Sequence, residues 1–128
     1  MNRLLREKGL TLVELLMAVF ILSVGIGGVL LLFFNAMVSS EYAWDMTVAT
    51  SHAESILEEM QRRKILPEVR NADWNKWAQL EGLTTLPEEA VSVEFAEGPG
   101  DPLDIRVEIS WERKARSNTI ELTTKMTK

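Results

Sequence analysis

Glu14 is the residue whose type and place ask for an explanation. It stands near the start of KGLTLVELLMAVFILSVGIGGVLLLFF, residues 8–34, an otherwise almost wholly apolar run. A carboxylate inside a membrane helix costs about 2.5–3.5 kcal/mol on insertion scales, so it calls for a partner or a task. The other candidate chemistry is thin. His52 is the single histidine and there is no cysteine, so a surface or interface histidine is expected rather than a metal ligand. Glu58 and Glu59 are adjacent and share no helix face, which makes them a poor acid/base pair. Asp101 and Asp104 lie near a Gly-Pro loop but lack the dense oxygen pattern of a calcium site. No nucleophile–base set, phosphate loop or metal cluster is present in the pattern. The expectation is no enzyme, no cofactor and no metal.

The elements that must position Glu14 follow from periodicity. Leu15 to Phe34 is an uncharged stretch of the length that crosses a bilayer as a helix. It exceeds a secretory signal core and carries its small residues, Ser23, Gly25, Gly27 and Gly28, in its middle. Three readings of those glycines stand open: softening of the helix, close approach of another helix, or no role. Arg3, Arg6 and Lys8 precede the span and place the N-terminus in the cytoplasm by the positive-inside rule. Residues 35–128 are then expected outside the cytoplasm.

Residues 10–64 contain no proline and read as one helix, roughly 80 Å long at 1.5 Å per residue. Its second half has an apolar stripe of Val38, Tyr42, Met46, Ala49, Ala53, Ile56, Leu57 and Met60. Glu41, Asp45, Glu54, Glu58, Glu59 and Arg62 make the opposite face. Arg62, Arg63 and Lys64 suit the helix C-terminus, and Pro67 predicts a stop near residue 65. Asn71 is the expected cap of a short helix over 72–81, with Trp74, Trp77 and Leu80 on one side and Gly82 closing it. Pro87-Glu88-Glu89 reads as loop.

Three period-two segments follow: Val91/Val93/Phe95, Leu103 to Trp111, and Ile120/Leu122 continuing to Met126. Residues 98–102 and Lys114–Asn118 are the turns between them. The class is α+β, a small antiparallel sheet of about three strands packed on the helix stripe. Trp74, Trp77 and Trp111 are expected as core.

The chain has 128 residues and a formal charge of −5. Residues 1–9 carry Arg3, Arg6 and Lys8 against Glu7, so the remainder carries −7. Such acidity argues against binding nucleic acid by a general field.

Lys8, Gly9, Leu10, Thr11, Leu12, Glu14 and Leu15, with the apolar run and the helix-then-sheet order, resemble type IV pilins and pseudopilins. Leu10 departs from the family's usual phenylalanine. The resemblance implies a basic leader, residues 1–9, that prepilin peptidase removes between Gly9 and Leu10. It implies N-methylation of Leu10 and a filament-core helix, residues 10–34. An amphipathic helix half, 35–66, and a sheet domain, 67–128, would form the head. It gives Glu14, with Thr11 beside it, the task of setting filament register by pairing with a neighbouring subunit's amine. Implied partners are other pilins or pseudopilins, the inner-membrane platform protein with its assembly ATPase, and membrane lipid. Residues 48–60 resemble the helix segment of PilV-type minor pilins and of I-type minor pseudopilins, and the end, Val107–Thr127, looks more like the PilV-type group. The expected function is a minor type IV pilin, anchored in the inner membrane with its head periplasmic. The alternatives are a type II secretion pseudopilin, or a DNA-uptake or adhesive module presenting Arg113, Lys114 and Arg116.

Overall fold

A computed structural model describes residues 9–63, 65–96 and 102–127. The leader charges Arg3, Arg6 and Lys8, the helix-end Lys64, and the turn residues 98–101 with Asp101 lie outside the described residues. The chain divides after Glu41 into two units.

The first unit contains the opening part of α1, which spans Leu12–Arg63. The large apolar residues from Leu12 to Phe34 are each more than half exposed. The segment has the length and composition to cross a membrane, and none of its most apolar window is buried. Ser23 does not spoil that surface, because its hydroxyl donates to the Val19 carbonyl at 2.7 Å. A Cβ placed on Gly25, Gly27 or Gly28 would meet nothing within 4 Å, so no contact within the chain requires glycine there.

The second unit is the α+β part. It holds the rest of α1, two short helices, α2 (Leu66–Asn71) and α3 (Trp74–Leu80), and strands β1 (Ala90–Phe95), β2 (Leu103–Arg113) and β3 (Arg116–Met126). The sheet is antiparallel throughout, in the order β1-β2-β3. β2 buries every second residue, Leu103, Ile105, Val107, Ile109 and Trp111. That face meets Ala49, Ala53, Ile56 and Met60 of α1 in one core. The two alanines have little side chain to hold helix and sheet apart, so the Ala49 to Met60 part of the apolar stripe packs on the sheet.

Several expectations need correction. α1 does end near the expected stop, at Arg63, but Pro67 itself sits in the first turn of an unexpected helix, α2, where a missing N–H costs nothing. The next helix is capped by Asp73, not Asn71, because the Asp73 carboxylate accepts from Lys76 N–H at 3.0 Å. Asn71 instead closes α2. Gly82, at φ +71°, does end α3: Leu83 N–H reaches Ala78 O and Gly82 N–H reaches Gln79 O. Leu80 is exposed, unlike buried Trp74. Tyr42 and Val38 are also exposed, so the buried stripe begins only near residue 45.

The second hairpin turn is tighter than Lys114–Asn118. β3 already begins at Arg116, which pairs with Arg113. Lys114 and Ala115 alone make the turn, at φ 51° and 61°. Positive φ at both central positions matches the twist of a two-residue hairpin but strains a residue with a Cβ. Ala115→Gly should therefore stabilise the fold by about 1 kcal/mol, read as a higher urea midpoint for the full chain in detergent. An unchanged or lower midpoint would refute the strain argument.

Candidate functional site

The first turn of α1 is built by its own residues. Thr11 precedes the helix; its hydroxyl accepts from Glu14 N–H at 3.2 Å, and its carbonyl accepts from Leu15 N–H at 3.1 Å. Thr11 is thus the N-cap, satisfying a donor that the helix itself cannot. Glu14 falls three residues later, where a carboxylate also favours the positive end of the helix dipole. Thr11-Leu12-Val13-Glu14 therefore has the sequence form of a capping box. That signal is legible in the sequence alone. Gly9 and Leu10 lie just before the cap, outside any helix and exposed. Leu10, Thr11 and Glu14 thus share one exposed helix start, while the leader charges fall among the residues not described.

Residues 4–30 match the prokaryotic N-terminal methylation motif. The match is consistent with a type IV pilin-like prepilin motif and supports a type IV pilin-like or pseudopilin protein. Proteins with this motif are structural rather than enzymatic. The motif also implies processing by prepilin peptidase and assembly with other pilins. Heading an apolar helix, it is consistent with membrane anchoring. No curated protein and no solved structure matches the chain.

Outside the motif, the charged residues serve the second unit. Asp45, expected on the polar face, is buried and receives two hydrogen bonds from Arg113, Nε to Oδ2 at 2.6 Å and Nη2 to Oδ1 at 2.9 Å. Arg113 is therefore committed to an internal pair, which removes one of the three cations suited to a ligand-binding turn. His52 is buried too, and its Nδ1 lies 2.6 Å from Glu89 Oε1. The other Glu89 oxygen accepts from Leu86 N–H at 2.9 Å, and Glu112 N–H donates to Pro87 O at 3.1 Å. These contacts fasten the 86–89 loop to helix and sheet. Sequence spacing could not reveal either pair, because the partners are 37 and 68 positions apart.

Glu59 pairs with Arg62 and Arg63, each at 3.2 Å. Asp104 has Lys125 at 3.6 Å. Trp74 is core: its Nε1 donates to Val69 O, its ring meets Trp77 edge-on, and the Arg63 guanidinium lies 5.0 Å above it. Trp77 is half-buried beside an open groove between α1 and α3 with Glu58, Glu59 and Glu81 on its walls. Trp111 is fully buried. Among the described residues, no group of three His, Asp or Glu is placed to hold a metal.

Proposed function

We propose that this chain is a minor subunit of a type IV filament. Prepilin peptidase cuts between Gly9 and Leu10 and methylates the new amine of Leu10. The mature subunit waits in the inner membrane as a single-pass protein, head outward, until the platform protein and its ATPase move it into a filament. Its contribution is to initiate assembly or to sit at the tip. The observation that carries this reading is the unburied apolar helix, headed by Thr11 and Glu14, beneath a matching methylation motif. Such a surface is stable only in lipid or against other helices.

Within an assembly, the amine at Leu10 enters surroundings where an unpaired charge is costly. Glu14 of a neighbouring copy is the group that answers it, and a single polar pair in an apolar bundle fixes register. The glycines at 25, 27 and 28 leave room for a neighbouring helix, since nothing within the chain fills their space.

The test is the intact mass of the protein from membranes with and without active prepilin peptidase. The expected result is peptidase-dependent loss of residues 1–9 and gain of one methyl group. An uncut chain in the presence of active peptidase would make this an ordinary membrane-anchored protein. A minor pseudopilin of type II secretion shares every feature named here; neighbouring pilus or secretion genes separate the two.

A further inference from the structure

The cleavage proposed above consumes one water and leaves a carboxylate on Gly9 and an amine on Leu10. The bond to be cut lies two residues before the helix. Gly9, Leu10 and Thr11 are outside α1, and Leu12 opens it. Gly9 is itself a poor helix former, but beyond it the sequence does not fix the helix start at Leu12. Leu10 is a good helix former, and the residues from Leu12 onward are helical without interruption. Near lipid the pressure is toward more helix, because each backbone group without a partner is costly there. What marks the boundary is Thr11, whose hydroxyl takes the Glu14 N–H at 3.2 Å. A side chain turned onto its own first turn holds its residue in non-helical backbone geometry.

This boundary matters to a peptidase. A peptide bond within a helix has its main-chain groups engaged and its side chains wound around an axis. An extended segment offers those groups to a binding cleft.

We propose that Thr11 is a positioning residue for processing: by capping α1 it keeps the Gly9–Leu10 peptide outside the helix, in the extended form a peptidase accepts. Glu14 assists through its place in the first turn, where its charge favours a helix that starts at Leu12 and not earlier. This rests on the processing reading above and adds a cause for where the cut is possible.

The experiment follows the rate of leader removal from the full chain in membranes containing prepilin peptidase, for the native chain and for Thr11→Ser, Thr11→Asn, Thr11→Ala and Thr11→Val. Serine and asparagine cap at least as well as threonine; alanine and valine do not. The first two should be cut at the native rate or faster. The last two should be cut about fivefold more slowly, the rate equivalent of one lost cap. In those two variants a helix running back over Leu10 would give the Glu14 N–H the Leu10 carbonyl, so its amide exchange should stay as slow as in the native chain; faster exchange would mean that the helix start frays, and overturns the proposal. Valine keeps the shape of threonine and asparagine does not, so a peptidase reading shape would reverse the order. That reversal, or equal rates across the series, overturns the proposal. A native chain that active peptidase never cuts defeats the processing reading itself, which a flat series with normal cleavage does not.

Discussion

Arg113→Met is expected to destabilise the second unit by about 3 kcal/mol, the low end for breaking a buried ion pair because the arginine is partly exposed. Asp45 is the reason. Its carboxylate is almost fully buried and takes both of its strong hydrogen bonds from Arg113. Methionine fills much of the same volume but leaves that charge without a partner. Removing both charges should cost less: Asp45→Leu with Arg113→Met is expected to be closer to the native chain than Arg113→Met alone. Urea denaturation of the full-length native chain and these two variants in detergent decides the matter. If the double variant is the least stable, the pair is a net stabiliser, and the account of a stranded charge is wrong.

The second large effect separates two kinds of apolar residue on one helix. Ile56→Ala should cost about 3 kcal/mol of stability, through lost burial and the cavity left behind. Ile56 is wholly inaccessible, in the same core as the buried face of β2. Leu16→Ala, on the same helix, should leave the stability of the isolated chain nearly unchanged, because Leu16 is 61% exposed. Its effect should appear instead in filament yield, where the proposed neighbours would cover it. Comparable destabilisation of the isolated chain by both variants would show that the first part of α1 already has a partner within the chain.

That contrast also explains what was legible in the sequence. Spacing alone located α1, the three strands and the core face of β2, because periods of 3.6 and 2 map directly onto buried faces. Glu14 stood out because a charge in an apolar run is conspicuous. Asp45 and His52 did not, since a polar residue on an amphipathic helix is ordinarily solvated. Their burial depends on Arg113 and Glu89, which only the folded chain brings near. α2 was missed because Pro67 serves equally as a stop and as the first turn of a new helix. Asn71 and Asp73 are both good caps, and nothing local in the sequence separates them. The first turn of α1 was readable as a capping box, yet the same letters carry a processing motif, and one reading masked the other.

The strand order has one further consequence. With β2 in the middle, β3 is an outer strand of eleven residues, and among the described residues nothing pairs with its far side. Such an edge is a template for unwanted pairing between molecules, and on the proposed membrane surface copies of the chain would meet often. Arg116, Glu121 and Lys125 punctuate that strand, with Glu121 held by Arg106 at 3.1 Å and Lys125 near Asp104. Charges so placed make edge-to-edge aggregation costly. They leave the molecule able to associate through its helix while discouraging association through its sheet.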